Sequence, residues 1–342
     1  MLHEKIARFY PCDNSIITLW EFFMKLKKIA LALAATLALS SLAACGDTDQ
    51  KIIFNDYWEF NSLVSSSSID ETLEYKVTHE KGGGLDVLGY SVSYGEGKYV
   101  TNLKTHPQGY IYTTSLTIPV TFQYGEDEAV SAQDSVTTEV IFLRSKDALR
   151  PISSTKNVVS HTPLSGGEAS SNNCYSLYDF SVVTTYPEEG KATSTTTYNM
   201  EGEEDPVVFS STFNTNDKKY SYLDNEQLLL ALRAISPSVS SGSVKIYNPF
   251  IETKQKIDFS FAAETGAEFS YTLNGEAVKT NVTYRPVSLT IDDRNPGGTQ
   301  TAWIAKRTNA QENENRNMML KLVVPLSYSM GNLVYELVSV KR

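Results

Sequence analysis

Leu116-Thr117-Ile118-Pro119-Val120-Thr121-Phe122-Gln123-Tyr124 places an apolar or aromatic side chain at every second position. Successive side chains of an extended strand point to opposite faces, so this period describes a strip with one buried face and one wet face. Leu73, Tyr75 and Val77 repeat the pattern, and runs rich in Thr, Val and Tyr extend it through 136–143, 175–183 and 193–200. Such residues suit a pleated surface. Gly82-Gly83-Gly84, Gly166-Gly167 and 187–190 supply turns between them. One stretch breaks the rule. Tyr222-Leu223-Asp224-Asn225-Glu226-Gln227-Leu228-Leu229-Leu230-Ala231-Leu232-Arg233-Ala234-Ile235 reads as a helix, with Asp224 and Gln227 spaced as a capping box, Leu223 and Leu228 as a staple, and Pro237 as a stop. Its leucines cover most of the circumference, which predicts a helix enclosed by sheet on all sides.

Beyond the helix, alternation resumes at 244–247 and 257–261. Asn274-Gly275 then separates Phe269, Tyr271 and Leu273 from 277–284, which is a strong hairpin signal. The runs 287–291, 301–305 and 318–324, with Leu333, Tyr335 and Leu337, complete an apparent antiparallel meander. No fixed-period repeat occurs, and no linker after Ser68 is long enough to divide the chain. The expectation is one mainly β domain over 72–342, a curved antiparallel sheet forming a half-barrel or β-roll wrapped around one short helix.

The 342 residues hold 30 basic and 40 acidic side chains, for a formal charge of -10. That balance excludes nucleic acid as a partner and excludes an electrostatic grip as the main hold on a membrane. Three cysteines, Cys12, Cys45 and Cys174, rule out a disulfide scaffold.

Toward the amino terminus, Lys25, Lys27 and Lys28 precede an apolar run over 29–39 and then Ser40-Ser41-Leu42-Ala43-Ala44-Cys45. This is the layout of a secretory signal, too short to span the roughly 20 residues a bilayer core demands. Leu42-Ala43-Ala44-Cys45 resembles the lipobox of bacterial lipoproteins. The resemblance implies a signal peptide over 24–44, lipidation of Cys45, cleavage before it, and an anchor and tether over 45–71. Trp20-Glu21 must be encoded by TGG followed by GAA or GAG, a purine-rich tract just ahead of Met24, so 1–23 reads as an upstream mis-start. Maturation at Cys45 removes five basic and three acidic groups and moves the formal charge from -10 to -12.

Leu149-Arg150-Pro151, Tyr178-Asp179-Phe180, the helix with Arg233 near its end, Ala302-Trp303-Ile304-Ala305, and the closing stretch 325–334 with Gly331 follow one another in an order that resembles an uncharacterised family of bacterial envelope proteins. That family is similar in shape to the half-barrel lipoprotein carriers LolA and LolB and to spiral β-roll glycolipid-binding proteins. The resemblance implies an apolar concave face able to hold an acyl chain, or a filled core. It brings no catalytic residues.

Catalytic signatures are absent from the sequence. There is no Gly-x-Ser-x-Gly elbow, and no paired ligands suggest zinc. His79, His106 and His161 fall among polar residues that read as turns, with His79-Glu80 as a solvated strand end. Asp292-Asp293 and 201–205 read as solvated loops, and Gly82-Gly83-Gly84 opens no helix to hold phosphate. Twenty tyrosines either line a sugar or lipid pocket or fill the rim of the sheet. Trp303, Tyr271 and Leu232 are the candidate ligand-lining residues. The function expected is an extracytoplasmic lipoprotein, lipid-anchored to a bacterial cell or outer membrane. It would act without cofactor as a binding or envelope-maintenance module for lipid or glycolipid. The alternatives are a surface adhesion or scaffold protein with a solid β core, and an envelope enzyme acting on polysaccharide through two converging carboxylates.

Overall fold

The computed structural model describes residues 52, 54, 68–83, 90–143, 149–163, 175–188, 190–199, 205–249, 252–291, 298–306, 317–326 and 329–342. The described residues are mainly β, as the alternation requires, with one short helix among them. One edge of the sheet is β9 (Val207–Asn214). From it run β8 (Lys191–Asn199), β7 (Tyr175–Glu188), β6 (Pro151–Pro163), β5 (Val130–Leu143), β4 (Gly109–Tyr124) and β3 (Gly97–His106), each antiparallel to the next. β3 pairs with β1 (Asp70–Lys81), and β1 pairs with β17 (Gly331–Lys341), which joins the first strand to the last. The path continues through β16 (Met319–Pro325), β15 (Gln300–Ala305), β14 (Glu276–Ile291), β12 (Thr253–Phe261) and β11 (Ser241–Asn248). The two-residue β10 (Ser221–Tyr222) ends it, parallel to β11.

Two further strands complete the sheet. β2 (Tyr90–Tyr94) pairs with the last residues of β4, on the side that β3 occupies further back. Pro119 lies where β2 gives way to β3, and its carbonyl accepts from Gly95 N at 2.9 Å, so a strand interior tolerates proline at a break in its neighbour's ladder. β13 (Thr265–Leu273) pairs with the first half of β14 through the expected hairpin, with Asn274 and Gly275 at φ of 52° and 92°. Those angles are what an Asn-Gly hairpin turn requires. The end of β13 also runs parallel to β17 (Thr272↔Ser339, Leu273↔Val340), so β13 to β17 close into a barrel, with the other strands as an extension. These parallel contacts and the β1–β17 pairing depart from a simple meander. They join residues far apart in the chain, which local alternation does not specify.

The helix forms as its caps dictate. Asp224 accepts from Glu226 N at 2.9 Å, and Gln227 Oε1 accepts from Asp224 N at 2.9 Å. A 3₁₀ turn over Asn225–Gln227 leads into α1 (Leu228–Arg233). Leu230, Ala231, Leu232 and Arg233 are consecutive and all buried, so α1 is surrounded, not laid on a surface. Arg233 is accommodated by an ion pair: its Nη2 lies 2.6 Å from Glu71 Oε1, and Arg342 Nε lies 3.1 Å from Glu71 Oε2. Gly331, at φ 100°, opens β17 against β1, where any Cβ would meet Glu80 O.

Part of the stretch read as tether, 45–71, is built into the body. β1 begins at Asp70, and Ile52 and Phe54 belong to the core, with Phe54 1% exposed and bridged to Ile235. A single aromatic ring gains by entering the space beside α1, and period-two patterning cannot reveal one plug residue.

Candidate functional site

The inward residues of β4 to β9 do not all meet a filler. They surround a cavity of about 390 Å³, within the range of small-molecule sites. Its floor follows the strand period: Ser154, Lys156, Val158 and Ser160 from β6, then Tyr178, Phe180, Val182, Thr184 and Tyr186 from β7. Tyr94, Tyr198 and Tyr247 add three more phenol rings.

Two polar groups mark the wall. In the first, His161 Nδ1 and the His161 backbone N–H both lie 2.8 Å from Asp134 Oδ1. Tyr175 stands edge-on to the imidazole at 4.9 Å. Burial pushes the Asp134 carboxyl up, and the bonds from His161 and Ser160 offset part of that. Ser160 Oγ donates to Asp134 at 3.4 Å, so one carboxylate holds both the serine hydroxyl and the imidazole. In the second group, Asp224 Oδ2 accepts from Ser154 Oγ and from the Tyr186 hydroxyl, both at 2.6 Å, while Oδ1 caps the helix. Burial, with Glu226 beside it, raises the Asp224 carboxyl. Lys156 Nζ lies 3.1 Å from Glu226 Oε1. Asp224 and Glu226 are therefore two carboxylates on one wall, but both Asp224 oxygens are engaged and Glu226 is paired. Burial also raises the Tyr94 and Tyr186 phenols and pushes Tyr198 up to about 12, so the rings present neutral hydroxyls.

The rolled sheet meets itself along a seam beside this cavity. Among the described residues no backbone ladder joins β9 to β10 or β11. Side chains span it instead: Phe213 and Tyr247 stack with centroids 3.8 Å apart, Ser211 and Tyr247 share a hydrogen bond of 2.6 Å, and Lys254 Nζ donates to Asn214 O at 3.1 Å.

None of the sequence-nominated lining residues stands on the cavity wall. Leu232 and Tyr271 are buried in the filled core. Trp303 stacks on Tyr284 at 5.0 Å, meets Phe269 edge-on and carries the Lys321 ammonium 5.0 Å from its ring centre, which makes it a packing element. Cys45, the signal segment, Cys174, Asp292 and Asp293 lie outside the described residues. His161 is a half-buried strand residue and not part of a turn, because Asp134 on the neighbouring strand, invisible in sequence, supplies its hydrogen bonds. His79 does stand near the end of β1, beside exposed Glu80, but it is half-buried and contacts Met330 O and Tyr94 N. His106 does sit beside a turn, accepting from Gln108 N. Among the described residues no three His, Cys, Asp or Glu side chains converge as metal ligands. The missed wall was signalled by Tyr178, Phe180 and Val182, a period-two run within the stretch 175–183 read as strand, which continues through Thr184 to Tyr186.

No family model matches the chain, and no curated protein matches it. Among solved structures it is similar to a β-barrel-like protein of a domain of unknown function, DUF1849, from Brucella abortus. The TM-score is 0.46 at 9% identity, with 80% of this chain and 97% of that chain covered.

Proposed function

We propose that the protein is a lipid-anchored bacterial envelope protein whose rolled sheet binds one amphiphilic molecule, a lipid or glycolipid, in the β4–β9 cavity. The observation that carries this reading is the unfilled space itself, walled by aliphatic side chains and five tyrosines. Apolar surface facing such a space is costly against water and gains by receiving an acyl chain. Neutral phenols, with the polar groups around Lys156 and His161, suit the head of the same molecule. A lipobox would put the protein where such molecules abound, and a lipid on Cys45 would hold it at a membrane despite an acidic body.

The test is mass spectrometry of organic extracts from the full chain carrying Cys45→Ser, compared with the same chain carrying Val182→Trp as well. A recurrent amphiphile is expected in the first and absent from the second. An extract unaltered by filling the cavity would remove the basis for this reading. Cys45→Ser should itself shift the protein from the membrane to the soluble fraction; continued membrane retention would count against the anchor.

A further inference from the structure

Among the described residues of the acidic body, three ammonium groups gather around one aromatic ring. Lys245, Lys219 and Lys256 hold their ammonium groups 4.9, 5.7 and 5.9 Å from the centre of the Tyr220 ring. Lys245 and Lys256 are direct cross-strand partners on β11 and β12, a like-charge juxtaposition that a sheet ordinarily avoids. Exposed Lys218 and Lys254 extend the group. Among the described residues, the acids beside these lysines are Asp217, which pairs with Lys245 at 2.6 Å, Asp258, which pairs with Lys256 at 2.9 Å, and Glu252 in the β11–β12 turn. Elsewhere Lys98, Lys104 and Lys321 each face a carboxylate on a neighbouring strand. Asp217 also shapes the loop, accepting from the backbone N–H groups of Lys219 and Tyr220 at 2.9 and 3.0 Å, which holds Tyr220 over the lysines.

The second observation is where the amino-terminal chain joins the body. Ser221, the residue after Tyr220, donates its hydroxyl to Ile52 O at 3.0 Å, and the Ile52 side chain lies against Gly242 on β11. Ile52 lies seven residue steps after Cys45. At about 3.5 Å per extended residue, an anchor on Cys45 stays within about 25 Å of this point. A bilayer holding that anchor is therefore within reach of the face that carries the lysines. Phosphate headgroups complement clustered ammonium groups, and tyrosine suits a membrane–water boundary. The face also flanks the seam, because Lys254 is the cross-strand partner of Tyr247, which lines the cavity.

We propose that the lysine-ringed Tyr220 surface is the face that rests on the anionic phosphate layer of the bilayer carrying the Cys45 anchor. This rests on the lipoprotein reading. The net charge still excludes electrostatics as the sole hold; the patch sets orientation while the lipid holds the protein in place.

The experiment uses the full acylated chain in vesicles containing phosphatidylglycerol or in vesicles of phosphatidylcholine alone. Amine acylation followed by peptide mass spectrometry reads the accessibility of each lysine. On the anionic vesicles, Lys218, Lys219, Lys245, Lys254 and Lys256 should label several-fold more slowly than on the neutral ones, and high salt should erase the difference. Lys98, Lys104 and Lys321 should not respond. A chain carrying Lys218→Glu, Lys219→Glu and Lys254→Glu should still float with the vesicles and lose protection at Lys245 and Lys256. Flotation with equal labelling on both vesicle types overturns the patch alone. A chain that fails to float overturns the anchor reading and this proposal with it, and protection by free inorganic phosphate equal to that by vesicles would assign the lysines to a soluble anion instead.

Discussion

The two sides of the rolled sheet share one pattern and differ in what lies inside. From β11 through β17 and across β1 and β3, inward side chains such as Val244, Ile257, Leu289, Leu322 and Leu73 pack into one cluster with α1 and Phe54. From β6 to β9, the inward positions include Ser154, Thr184, Ser194 and Thr196, and the larger ones face open space. A curved sheet must be filled by something, because its own side chains do not reach across. One side receives a helix and a plug; the other is left for a ligand under the function proposed here. Alternation shapes the wall, while the contents depend on which distant segment arrives.

The largest expected effect lies on the filled side. Arg233→Met leaves the buried Glu71 carboxylate with Arg342 as its remaining partner and should cost about 3–5 kcal/mol in denaturant unfolding. Loss below about 1 kcal/mol would mean that the pair is wetter than its burial implies. Next, Leu230→Ala should cost about 2–5 kcal/mol, because the helix cannot collapse into the void. Val158→Ala on the cavity side should cost only about 1 kcal/mol, since the lost volume joins space already present. Equal losses would erase the distinction between the two sides.

Enlargement should reverse the ranking. Ala302→Leu on the filled side should destabilise by about 1–3 kcal/mol, whereas Val182→Trp should leave the unfolding midpoint nearly unchanged.

The smallest effect concerns pH. Asp224 and Asp134 both titrate above the ordinary 3.8 in the folded state, so folded protein binds their protons more tightly than unfolded chain does. Their contribution to stability is full below 3.8 and is lost as pH rises through the folded values. Acidification from neutral pH should therefore raise this part of the stability, and Asp224→Asn should flatten it. Asp217, against the pull of its own desolvation, is held down to about 2 by Lys245 and two backbone N–H groups. It should contribute with the opposite sign, losing stability as pH falls from 3.8 toward 2. Urea midpoints measured across that range check both signs.

Much of this architecture was legible beforehand. Period two in Leu116–Tyr124 and the capping box at Asp224 depend on neighbours a few residues apart, and both appear as expected. Less was legible in β6 and β9, where Ser, Thr and Asn dilute the apolar signal. Trp303 drew attention by size, yet Tyr284 and Lys321, which occupy its ring, come from other strands.

The sequence by itself determined the strand content, the single capped helix, the Asn-Gly turn and the acidic charge, because each is set by local sterics or by simple counting. Only the tertiary structure decided that Phe54 and α1 fill one side, that β13 closes onto β17, and that five tyrosines and a His–Asp pair surround a cavity on the other. Those outcomes depend on which residues meet across tens or hundreds of positions, and a one-dimensional pattern carries no record of that.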